Sequence, residues 1–192
     1  SSGREGYAFY VQELTDYARQ RVELASSLRH ALDNEELRVY YQPLHDLGDG
    51  SQVGMEALVR WQHPEKGLIS PAVFIPIAEE TGLISAIDHW VLQQACHQAR
   101  EWLGQGRPLG FIAVNISSRL FGNGDLDLQI ATVLASSGLA ARHLELEITE
   151  SAVMQDPDGA LELLQRLRTL GVQLAIDDFG TGYSSLQRLK RM

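Results

Sequence analysis

Five polar residues fall where apolar runs end, and their types point to one kind of chemistry. QVGMEALVRW carries Glu56, LGFIAVNIS carries Asn115, HLELEIT carries Glu147, and VQLAIDD closes on Asp177 and Asp178. Two adjacent carboxylates repel each other unless a cation sits between or beside them, and a divalent metal resolves that conflict. The competing reading of the pair is a strand-to-helix turn in which Asp178 only caps the chain. Strand residues alternate faces, which extends the question beyond the pair. Glu56 shares a face with Leu58 and Arg60. Asn115 opposes Ile112, Val114 and Ile116. Glu147 opposes Leu144, Leu146 and Ile148. Asp177 shares parity with Ala175, opposite Val172, Leu174 and Ile176. Each of the four strands thus presents one carboxylate or amide, late in its run, on the face away from the helices. Buried polar groups are costly without partners, so four of them converging at strand carboxyl ends mark a site. Three carboxylates and an amide are hard oxygen donors of the kind magnesium, manganese or calcium accepts. Zinc is disfavoured, because His45, His63, His89, His97 and His143 are scattered and fit solvated or core roles.

The elements that must carry these residues follow from periodicity. Apolar residues at helical spacing (Val22, Leu24, Ala25, Leu28, Ala31, Leu32) predict an amphipathic helix over 16–34, suited to a connector between domains. ELRVYYQPLHDL and QVGMEALVRW flank the turn-rich GDGS and read as a hairpin. Ser70-Pro71 starts a helix over 71–81 that ends near Gly82, and a longer helix runs over 84–104. Strands and helices then alternate: LGFIAVNIS, a helix over 126–137, HLELEIT, a helix from Asp156-Pro157 to Gly171, VQLAIDD, and a helix beginning in SSLQRLKRM. That order predicts an α/β fold with parallel strands and helices outside.

Composition bounds the function. The chain has 192 residues, 44% hydrophobic and 21% charged, enough to bury one domain's core. A net charge of −9 argues against wrapping duplex nucleic acid. A local metal or arginine can still bind a small anion. The single cysteine, Cys96, fits a small buried apolar role and a reducing compartment, so a cytoplasmic location is expected, with a parent protein that could be membrane-anchored.

The motifs EALVRW, YQPL, PEKGLISPAVFIPIAEETGLI, NIS, ELEITES and DDFGTGYSSL, in that order, resemble the EAL-domain cyclic di-GMP phosphodiesterases from about residue 36 onward. The resemblance implies a modified TIM (β/α)8 barrel whose first barrel strand is antiparallel. It also implies two divalent cations, magnesium or manganese, and hydrolysis of cyclic di-GMP to the linear dinucleotide pGpG. By that resemblance Glu56, Asn115, Glu147, Asp177 and Asp178 bind metal. Glu56, Asp177, Asp178 and Glu150 are catalytic, with Glu150 steadying the DDFGTGYSS loop. Gln42, Leu58, Arg60 and Asn115 contact the nucleotide, Arg60 through a phosphate. Independently of the resemblance, a guanidinium fork suits a phosphate.

The N-terminal GREGYAFY resembles the end of a GGDEF domain, so residues 1–35 are expected to be a GGDEF-domain remnant and linker helix, and 36–192 the N-terminal part of an EAL barrel. The expected partners are cyclic di-GMP, a second copy in a homodimer, and an upstream GGDEF or sensory domain. The sequence ends at KRM inside an expected helix. The family's later strands, with their lysine, further glutamate and glutamine-glycine segment, are therefore expected to lie outside it, and the fragment alone could be inactive or prone to associate. Two alternatives stand beside the enzyme: a sensor that binds cyclic di-GMP without cleaving it, and a dimerisation scaffold.

Overall fold

The computed structural model describes residue 19 and residues 21–177, with Asp177 described in its backbone only. The described residues form two compact units, one within 1–38 and 60–83, the other within 39–59 and 84–192.

In the first unit, helix α1 (21–31) buries Leu24, Leu28 and Ala31 and leaves Val22 69% exposed. The helix expected over 16–34 therefore stops earlier. Glu35 adopts a positive φ of 55°, and the Glu36 amide bonds back to the Ala31 carbonyl, which turns the chain out of the helix. Helix α2 (Pro71–Thr81) has proline in its first turn and ends on Gly82 at φ 79°, a conformation glycine adopts without steric cost. Ser70 precedes it in extended backbone, but its side chain makes no capping bond; its carbonyl accepts from the Val73 amide instead. The buried Trp61 ring meets Phe74 edge-on at 5.8 Å and His63 at 5.3 Å, and Ile77 and Ala78 complete the same core. Arg21 of α1 pairs with Glu80 of α2 at 2.7 Å.

The sheet is built from β1 (Leu37–His45), β2 (Gln52–His63), β3 (Gly67–Ile69), β4 (Phe111–Ile116), β5 (Leu144–Thr149) and β6 (Gln173–Asp177). Its order is β1-β2-β4-β5-β6, with β3 paired antiparallel to the end of β2. The link between β1 and β2 is too short for a parallel crossover, so they form the expected hairpin, with β1 antiparallel. The pairs β2–β4, β4–β5 and β5–β6 are parallel.

In the second unit, α3 (Ile84–Gly104), α5 (Leu126–Ser137) and α7 (Pro157–Leu170) are the crossover helices, and α3 packs on β4 and on α5. Two short helices absent from the sequence reading, α4 (Ser118–Phe121) and α6 (Glu150–Gln155), start as soon as β4 and β5 end. Thr149 caps α6 by accepting from the Ala152 amide, and Asp156 caps α7 by accepting from the Gly159 amide. The core lies between the strands and these helices: Ile112, Val114, Leu144, Leu146, Leu92, Ala95, Ile130 and Leu167 are all buried. No helix among the described residues is long and apolar enough to cross a membrane.

Candidate functional site

Strand register decides which side chains meet. Glu56 is the register partner of Ala113, Asn115 of Glu147, Glu147 of Ala175, and Thr149 of Asp177. Register partners share a face, as do residues two apart on one strand. Glu56, Asn115, Glu147 and Asp177 therefore occupy one face of four consecutive strands. On β5 that face is the half-buried one (Glu145, Glu147, Thr149), while Leu144, Leu146 and Ile148 are buried beneath the helices.

Within the set, Asn115 Nδ2 donates a hydrogen bond to Glu56 Oε1 at 2.9 Å. It orients both side chains and leaves the Asn115 amide oxygen as an acceptor on the same face. Behind Asn115, the buried Asp88 of α3 accepts from the Ser117 amide at 3.2 Å, tying down the turn where β4 leaves the sheet. Sequence reasoning missed Asp88; its signal was a lone carboxylate inside the apolar run ISAIDHWVLQQA.

Gln42, Leu58 and Arg60, the residues expected to contact a nucleotide, lie along β1 and β2. Tyr41 packs edge-on against Trp102 of α3, with ring centroids 4.8 Å apart, and burial pushes its hydroxyl up to about 12. Gln42, the next residue, faces the other way and is exposed. Leu58 is half-buried, two residues past Glu56. Arg60 is half-buried with the same parity as Glu56 and Leu58, and belongs to the first unit. Glu150, half-buried, opens α6 directly after β5. Asp178, the side chain of Asp177, the GTGYSSL loop, the helix expected from SSLQRLKRM and the GREGYAFY segment lie outside the described residues.

The described part of this set fits a hard cation in chemistry: two carboxylates and an amide oxygen on adjacent strands. Among the described residues no three His, Cys, Asp or Glu side chains form a group that could hold a metal. That is consistent with a donor set in which Glu56 and Glu147 are the only carboxylates described and the remaining two are the paired aspartates. Two residues along β5 from Glu147, Glu145 is held above the usual carboxylate range by burial. His63 and His143 make hydrogen bonds to backbone groups. His63 Nδ1 accepts from the Glu65 and Lys66 amides, and His143 Nδ1 donates to the Gly110 carbonyl at 2.7 Å.

Residues 25–192 match the family described as the EAL domain. The chain is 45% identical over 190 residues to the bifunctional diguanylate cyclase/cyclic di-GMP phosphodiesterase MucR of Pseudomonas aeruginosa, covering 99% of this chain and 28% of that protein. It is 44% identical over 190 residues to the cyclic di-GMP phosphodiesterase NbdA of the same organism, covering 99% of this chain and 24% of that protein. Among solved structures, the PaMucR phosphodiesterase in complex with c-di-GMP superposes with a TM-score of 0.85 at 46% identity, over 88% of this chain and 69% of that one. The chain thus spans about a quarter of the length of these curated relatives. The fold is the α/β, modified TIM-barrel architecture of such domains, here with an antiparallel first strand and parallel neighbours.

Proposed function

The chain belongs to the EAL domain family, and from that premise we propose that it is the N-terminal part of a divalent-metal-dependent phosphodiesterase that hydrolyses cyclic di-GMP to linear pGpG. One observation carries the reading: the register brings Glu56, Asn115, Glu147 and Asp177 to one face of four neighbouring strands.

Glu56, Asn115, Glu147 and Asp177, with Asp178, would hold two cations, magnesium or manganese. When bound, such a pair supplies an activated water, polarises the phosphoryl group and stabilises the leaving oxygen. The chain's own residues do the rest. The Asn115–Glu56 bond fixes the orientation of two donors before any ligand arrives. Arg60 offers a forked donor to a phosphate of the nucleotide. Gln42 supplies amide donors and an acceptor suited to a base edge, and Leu58 an apolar contact beside them. Glu150 opens α6, and its proposed role is to steady the DDFGTGYSS loop. A homodimer and an upstream GGDEF or sensory domain belong to the same reading, with residues 1–35 as the GGDEF remnant and linker.

The test is a hydrolysis assay on cyclic di-GMP with magnesium or manganese, using this chain beside a version extended to a full barrel. Turnover by the extended form that is lost in Glu56→Ala is the expected result. Normal turnover by Glu56→Ala would remove the metal assignment. Binding without cleavage by both forms would make the protein a sensor.

A further inference from the structure

We infer that Glu36 is a positioning residue for substrate binding, holding the end of β2 so that Arg60 projects correctly; the inference rests on the reading of Arg60 as a phosphate contact. Glu36 uses every polar group it has. Its amide donates to the Ala31 carbonyl at the end of α1 (2.8 Å), and its carbonyl accepts from the Gln62 amide of β2 (2.8 Å). Its Oε2 accepts from Trp61 Nε1 at 2.9 Å, and its Oε1 from Asn34 Nδ2 at 3.2 Å. One residue therefore ties the last turn of α1 to two consecutive residues of β2, all within the first compact unit.

The Trp61 ring is fully buried between Phe74 and His63, so its indole N–H needs an internal acceptor, and Glu36 provides it. Arg60 and Trp61 are neighbours on one strand and point to opposite faces. Rotation of the ring is therefore coupled to rotation of the strand at Arg60. The chain accepts a cost to set this up: Glu35, immediately before, is the only described non-glycine residue with positive φ. A non-glycine residue held in that region persists where surrounding contacts over-determine it.

The test uses the full-length protein and four variants: Glu36→Ala, Trp61→Phe, the double substitution, and Glu36→Gln. Glu36→Ala and Trp61→Phe should each raise KM for cyclic di-GMP about tenfold, the factor expected from one misplaced charge-assisted contact, with kcat and the magnesium midpoint changed far less. The double variant should be no worse than either single one, because both delete the same bond. Glu36→Gln should restore most of the affinity, since its amide oxygen still accepts from the indole. A merely structural Glu36 would lower Tm while leaving KM at the wild-type value, and that result overturns the inference, as does an additive double variant. If Glu36→Ala does not fold, Trp61→Phe and Glu36→Gln carry the comparison. A wild-type protein without turnover overturns the functional reading and the inference together; wild-type turnover with unchanged KM in the variants overturns the inference alone.

Discussion

Gly54 lies two residues before Glu56 on β2 and opposite Phe111 on β4. A Cβ there would sit 2.8 Å and 2.9 Å from the Phe111 ring and 2.9 Å from the Phe111 carbonyl oxygen. Non-bonded carbons rest at about 3.5–4.0 Å, so Gly54→Ala overpacks the strand pair. The ring could swing aside, but the carbonyl belongs to the neighbouring strand, so β2 and β4 must part. Overpacking of this kind costs about 1–3 kcal/mol. At about 2–4 °C per kcal/mol for a chain of this size, a cost of about 2 kcal/mol lowers Tm by roughly 4–8 °C. The same separation lengthens the Asn115–Glu56 bond, which spans these two strands at 2.9 Å. The rise in Tm on adding magnesium should therefore shrink as well. Gly50→Ala is the contrasting variant: Gly50 has φ 71° with nothing near its Cβ position. It should lower Tm through backbone strain alone and leave the magnesium-induced rise intact. Thermal melts of the full-length protein by circular dichroism, with and without magnesium, distinguish the two. A Gly54→Ala protein with wild-type Tm and a wild-type magnesium response would refute the reasoning.

Asn115→Asp should lower Tm without metal by setting a second carboxylate against Glu56, and enlarge the stabilisation by magnesium, read from paired melts. Tyr41 has its pKa raised from 10.0 to about 12, chiefly by burial. Its neutral form is favoured in the folded state, so the stability it contributes is whole below pH about 10 and drains away as pH rises towards about 12. Tyr41→Phe should flatten that alkaline loss in a pH series of denaturant midpoints. Burial likewise pushes the Cys96 thiol up to about 12, and the residue is fully buried; an alkylating reagent at mildly alkaline pH should label it only once denaturant unfolds the chain. Asp156→Ala removes the acceptor for the Gly159 amide at the start of α7 and should cost about 1 kcal/mol in denaturant unfolding.

Local signals account for what the sequence made readable. Helices over 71–81, 84–104 and 126–137 emerge with the expected bounds because proline, glycine and apolar spacing act within a few residues of where they stand. The common face of Glu56, Asn115, Glu147 and Asp177 was legible too, because parity along a strand survives any parallel register that keeps the apolar sides together. What escaped was set by partners distant in sequence. The three-residue β3 exists through pairing with Trp61, Gln62 and His63. The short helices α4 and α6 carry too few residues for periodicity to register. Val22 matched the apolar spacing of α1 and is nevertheless exposed, since burial depends on what packs against a helix and not on its own pattern. Glu36 and Asp88 are satisfied across 25 and 29 residues of sequence, a separation no window detects.

The residues proposed to hold cations on β2, β4, β5 and β6 sit late in successive strands, and β2, β4 and β5 are each followed by helices before the next of them appears. Such an arrangement has a consequence for descent. A single codon change can erase one donor while the local strand, helix and hydrophobic layer that carried it remain intact. On the proposed roles, lineages built on this plan can therefore shed cleavage in small steps and keep nucleotide binding, which the proposal assigns to other positions such as Gln42 and Leu58. On the proposed roles, hydrolysis and recognition are separately heritable on this scaffold, except at Asn115, to which both are assigned.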